Sequence, residues 1–172
     1  IRLLLHYGSK VITFHEQEES SEQPGTYIDI ERRYFVARYI VEEIALDRIR
    51  FDHPVYDRIL QLFADQPEDR PYLEPTFFLH NEDAALRDTA VELMSAKYEL
   101  SENWVEMHGI RVPTEEENML KTVERSVLHL KNKKVMKMLE ESRHKIRTCA
   151  PDGDELMTLL ENHQRLESIK SQ

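Results

Sequence analysis

The chain has 172 residues, with 4 Gly, 7 Pro, 33% charged residues and 40% apolar ones. That profile suits one helical domain with long solvated faces and excludes a sheet protein rich in tight turns. Its 23 Lys and Arg against 33 Asp and Glu leave a formal charge of −10, which excludes a nucleic-acid footprint over the whole chain, because phosphate binding needs positive surface.

Ile1 to Tyr7 reads as a short apolar helix with Gly8 as its stop, and Val11 to Phe14 as its continuation after a kink. Glu16 to Gly25 is acidic, lacks an apolar anchor and ends in Pro-Gly, so a solvated loop is expected. Residues 26–30 have strand character but no partner to pair with. Ile30 to Leu46 is expected to be helical, because Phe35, Ala37, Ile40, Val41, Ile44 and Ala45 recur three and four apart. Asp52-His53-Pro54 starts a further helix, with Val55, Ile59, Leu62 and Phe63 as its stripe. Gln66 to Pro75 holds three prolines and reads as loop, and Phe77, Phe78 and Leu79 as an aromatic core plug. Asn81 is the expected cap of a helix from Glu82 to about Ala96, with Leu86, Ala90, Leu93 and Met94 facing inward. Ser101 to Met107 reads as a short helical turn carrying the one tryptophan, Trp104.

The character then changes. Pro113 precedes a Thr114-x-x-Glu117 capping box, and no Pro or Gly follows until residue 151. Met119, Leu120, Val123, Val127, Leu130, Val135, Met138, Leu139 and Ile146 follow helical spacing. One helix over 114–148 is expected, roughly 50 Å long at a rise of about 1.5 Å per residue. Ala150-Pro151-Asp152-Gly153 breaks it, and a last helix runs from Asp154 to the end. The expected fold class is therefore all-α. A helical bundle over 1–130 is followed by a projecting helical hairpin over 131–172, the long helix being shared between them.

Charge divides in the same way. Residues 1–112 hold 12 Lys and Arg against 22 Asp and Glu, residues 113–148 hold 9 against 6, and residues 149–172 hold 2 against 5. The basic stripe of Lys131, Lys133, Lys134 and Lys137 thus complements an acidic final helix. No aromatic residue is interleaved with it for base stacking, so strong direct nucleic-acid binding is not expected.

Motifs for chemistry are scarce. The single cysteine, Cys149, excludes an intrachain disulfide and every Cys-based zinc site, and implies a reducing, intracellular compartment. Glu141-x-x-His144 has the spacing of a di-iron half-site, but no second copy exists, so no metal is expected. There is no H-E-x-x-H, G-x-S-x-G or Gly-rich phosphate loop. The apolar runs are too short to span a membrane, and no secretory signal is visible. The chain opens on Ile1, already inside a helix pattern, and reads as a piece of a longer protein.

The hairpin is the informative feature. Its seam is expected to join Val135, Met138, Leu139, Ser142 and Ile146 to Leu156, Leu159, Leu160, His163, Leu166 and Ile169. Met136, Met157 and the outer edge of Leu160 do not fit that seam. Apolar residues on the outside of a hairpin, methionines included, suggest a partner groove. A long helix followed by a short turn also permits two chains to exchange hairpins as a swapped dimer.

Taken together, IRLLLHYG, FDHPVYDRILQLF, FFLHNEDAALRDTAVELMSAKYELSENW and the ending LHLKNKKVMKMLEES…DGDELMTLLENHQRLESIKS resemble the C-terminal domain of bacterial DNA primase of the Bacteroidetes type. The resemblance covers essentially the whole chain. It implies a non-catalytic module that docks on the N-terminal domains of the hexameric replicative DNA helicase in the bacterial cytoplasm. It also implies catalytic and zinc-binding domains upstream, with zinc and magnesium belonging there and no cofactor here. By position, docking then falls on Leu156, Met157, Leu159, Leu160, His163, Leu166 and Ile169, with Met138, Leu139 and Ile146 in support. The alternative is an all-α regulatory module that binds another protein, a small ligand or single-stranded nucleic acid. An enzyme would need a concave pocket, for which Tyr34, Tyr39, His80 and Glu82 are the candidates.

Overall fold

A computed structural model describes residues 1–19, 25, 27–95, 115–148 and 154–170. The Trp104 turn, Cys149, the Thr114 end of the capping box and the 150–153 break lie outside the described residues. The fold is mostly helical but includes a two-stranded sheet, so the all-α expectation is corrected. Two compact units are present, Ile1–Glu124 and Arg125–Gln172.

In the first unit, α1 (Arg2–Tyr7) buries Leu3, Leu4 and Leu5 together. Three consecutive leucines spread over more than half of a helix turn, and α1 packs against both α2 (Val36–Leu46) and α5 (Ala84–Met94). Gly8 follows α1 in the right-handed helical region, so left-handed freedom is not its role. A Cβ at Gly8 would stand 2.5 Å from the Leu4 carbonyl oxygen and 3.3 Å from Phe63 Cε1. Its own carbonyl accepts the Ala37 N–H at 3.1 Å. Glycine is needed there for close approach.

The largest departure from expectation follows Gly8. Strands β1 (Val11–Glu19) and β2 (Tyr27–Phe35) pair antiparallel, from Val11 opposite Phe35 to Glu19 opposite Tyr27. Val11 to Phe14 is thus strand rather than helix, residues 16–19 are strand rather than loop, residues 27–30 do have a partner, and α2 begins at Val36 rather than Ile30. The register explains it. Ile12, Phe14, Ile28, Ile30 and Tyr34 fall on one face of the ribbon, together with Glu16, Glu18 and Arg32. Arg32 Nε lies 2.9 Å from Glu16, and its Nη2 also bonds Glu18. The acidic run is held by cross-strand partners, which a reading of its charge alone does not reveal. At the base of the ribbon, Phe14 meets Tyr34 edge-on and also packs on Tyr39 of α2.

Helix α3 (Pro54–Ala64) has Pro54 at its first turn, where a missing N–H costs nothing. It buries Ile59, Leu60 and Phe63 and packs on α2 and α5. Val55 and Leu62, expected in that stripe, are only half-buried. Short α4 (Pro75–Leu79) buries Phe78, which stacks on Phe63 with centroids 5.7 Å apart. Phe77 and Leu79 are exposed, so the expected three-residue plug is one residue deep. Helix α5 is capped by Asp83 rather than Asn81: Asp83 Oδ1 accepts the Ala85 N–H at 2.9 Å. Asn81 instead orients the cap, accepting the Asp83 N–H at 3.0 Å. Asp83 also pairs with Arg58, which ties the start of α5 to α3.

Helix α6 (Met119–Thr148) spans 30 residues and starts later than expected, after a turn over 115–118. Just before it, Arg2 grips Glu115 through two guanidinium nitrogens, one at 2.9 Å from Oε2. This hydrogen-bonded pairing holds the Glu115 carboxyl below its ordinary value of about 4.5. A carboxyl lowered by folding stabilises above its unfolded pKa, and that contribution disappears as pH falls through the folded value. Glu115→Gln should therefore be less stable than the parent near neutral pH, with the gap closing as pH drops below about 4.5. Urea titrations at several pH values read this directly. A gap that stayed constant into acid would show that the ion pair contributes nothing.

Candidate docking hairpin

The second unit contains the rest of α6 and α7 (Asp154–Lys170). Leu156, Leu159, His163 and Leu166 recur at alternating three- and four-residue steps and are half-buried. On α6 the matching steps are Val135, Leu139, Ser142 and Ile146, of which Leu139 and Ser142 are buried. Both series have the a/d spacing of a coiled-coil seam.

One polar layer sets the register. His163 Nδ1 lies 3.2 Å from Ser142 Oγ, and its Nε2 lies 3.4 Å from Glu167 Oε1. A carboxylate only accepts, so a proton on Nε2 would face Glu167, and in that tautomer Nδ1 accepts the serine hydroxyl. With residues 149–153 between the helices, His163 reaches Ser142 only if α7 runs back along α6. That antiparallel register sets Leu139 opposite Leu166 and Ile146 opposite Leu159. Arg143 Nη2 to Glu167 Oε1, at 3.5 Å, flanks the seam and is a cross-helix charge pair of the expected kind.

The register also sorts the remaining candidate residues. Met138 and Ile169, expected inside the seam, are each 50% exposed. They sit on one edge of the hairpin at the same height, because the seam centres on residues 139, 142 and 146 and helical spacing turns position 138 aside. Leu160 is 38% exposed and Met157 is 62% exposed. These two lie on the other edge, near the link, and Leu160 is thereby corrected from seam to surface. Met136 is also exposed. A fully buried aliphatic side chain contributes about 1.5–3 kcal/mol, and of the aliphatic seam residues only Leu139 is fully buried. Apolar surface therefore remains exposed on both edges.

Of the residues weighed for a catalytic pocket, Tyr34 and Tyr39 both pack on Phe14. His80 Nδ1 lies 2.9 Å from the Thr76 carbonyl, at the end of α4. Glu141 and His144 are exposed on α6. Among the described residues, no group of three or more His, Cys, Asp and Glu is placed to hold a metal, and no helix is long and apolar enough to cross a membrane.

A family model described as a domain of unknown function, DUF8430, matches residues 1–172. The chain belongs to the DUF8430 family. No curated protein and no solved structure matches this DUF8430 domain. The signal that sequence reading underused for it is the stepwise spacing of 135, 139, 142 and 146 against 156, 159, 163 and 166, which separates seam from edge.

Proposed function

We propose that this domain is a non-catalytic interaction module of a bacterial DNA primase. It docks on the N-terminal domains of the hexameric replicative helicase and so couples primer synthesis to fork unwinding. The observation that carries the reading is the α6–α7 hairpin. Its seam is closed by the Ser142–His163 layer, while Met138, Met157, Leu160 and Ile169 stay exposed on its edges. The naming of the partner rests on the sequence resemblance to the primase C-terminal domain, which runs from the opening R-L-L-L to the closing helix. In this reading residues 1–124 form a helical bundle carrying the β1–β2 ribbon, and the hairpin is the docking element. Exposed methionines suit such a surface, because a flexible thioether adapts to a groove without a fixed shape.

The test is a titration of the chain against the N-terminal domain of the replicative helicase from the same organism, with and without residues 152–172. Saturable binding by the full chain and its loss on truncation are expected. The first unit should keep its helical signal and cooperative melting in the shortened chain. A folded full chain that does not bind would remove the helicase as partner.

A further inference from the structure

Helix α2 ends in an unusual way. The Ile49 N–H bonds the Ile44 carbonyl at 3.1 Å and the Arg48 N–H bonds the Ala45 carbonyl at 3.0 Å. This pair of bonds is a Schellman ending, whose left-handed residue is most often glycine because a Cβ is penalised there. Here that residue is Arg48, with φ at 51°, the one positive-φ non-glycine among the described residues. A strained position that keeps a long cationic side chain invites a functional reason.

The surroundings supply one. Arg48 lines a cleft of about 350 Å³ between α2 and α3. Ile44 and Leu60 lie buried at its floor, with Val41 and Ile49 half-buried beside them. Its charged lining residues are Arg48 and Arg50. Arg50 is engaged by Asp57 at 3.3 Å, whereas the Arg48 guanidinium has no side-chain partner among the described residues. An apolar cleft edged by a guanidinium without a carboxylate partner among the described residues complements an amphipathic anion locally.

We propose that the α2–α3 cleft is a binding site for an apolar monocarboxylate, with Arg48 holding the carboxylate and Val41, Ile44, Ile49 and Leu60 covering the apolar body. A guanidinium offers two parallel N–H donors to a carboxylate, which a lysine would not. The cleft lies within residues 1–124, so this site and the hairpin reading stand or fall separately.

The full chain, labelled with nitrogen-15, is titrated with octanoate and separately with 1-octanol. Octanoate should shift the Ile44, Arg48, Ile49 and Gln61 amides with one saturable constant, and octanol should bind at least tenfold more weakly. Arg48→Gly should lower octanoate affinity at least tenfold yet melt no lower than the parent, because glycine accepts the left-handed backbone without strain. Arg48→Asn, whose side chain also tolerates that conformation, should lose octanoate to the same extent. Equal binding of octanoate and octanol, unchanged octanoate affinity in both variants, or saturable shifts confined to residues outside the cleft would each overturn the proposal.

Discussion

Leu160→Asp is expected to weaken the proposed binding to the helicase N-terminal domain about 100-fold, close to 2.8 kcal/mol at about 1.4 kcal/mol per factor of ten. A loss of that size is what a central apolar anchor contributes at an interface. Leu160 is 38% exposed and lies outside the Ser142–His163 seam, so the aspartate should sit in water in the free chain. The helical signal and the first unit's melting should be unchanged. Leu166→Asp is the contrasting variant. Leu166 is half-buried and faces Leu139, so a charge there should open the hairpin itself. Amide exchange over 135–146 should then rise for Leu166→Asp but not for Leu160→Asp. Unaltered affinity in Leu160→Asp would remove that edge of the hairpin from the interface.

Phe63→Ala is expected to cost about 3–5 kcal/mol, the range for truncating a fully buried aromatic residue. Phe63 is 2% exposed, stacks on Phe78 and has Cε1 3.3 Å from where a Cβ on Gly8 would lie. It therefore joins α1, α3 and α4 at one point, and a cavity there cannot close without moving three elements. Phe77→Ala is the matched control. Phe77 is 43% exposed although its ring also meets Phe78 edge-on, and its loss should cost about 1 kcal/mol or less. Urea unfolding followed by far-ultraviolet circular dichroism separates the two. Similar costs for both would mean that the Phe63–Phe78 stack is not the centre of the first unit's core.

Part of this fold was legible from residue order, and the errors have a common cause. The three- and four-residue apolar spacing located α2, α3, α5, α6 and α7, and Pro54 marked where α3 begins. The same spacing misled at Ile30. The Ile28, Ile30, Arg32 and Tyr34 alternation of β2 runs straight into the helical pattern of α2, with neither Pro nor Gly between them. The partner strand was hidden too, because β1 carries glutamates where an apolar residue would mark a strand. Those glutamates are matched by Arg32, on a strand that begins eight residues after β1 ends. In the hairpin the expected seam leaves out Met157 and the outer edge of Leu160 but includes Met138 and Ile169. The Ser142–His163 register divides the candidate residues into the seam residues Leu139, Ile146, Leu156, Leu159, His163 and Leu166 and the edge residues Met138, Met157, Leu160 and Ile169.

The sequence alone determined the helical periodicity, the acidic first part against the basic stripe of α6, and the amphipathic ending. A helix closes its hydrogen bonds within four residues, and its faces follow from a spacing that can be counted. Tertiary structure alone decided the β1–β2 pairing, the depth of Phe78 against Phe77 and the cleft beside Arg48. Each of these depends on which distant segment lies alongside, and a strand or a cleft wall has no local bond that announces its partner.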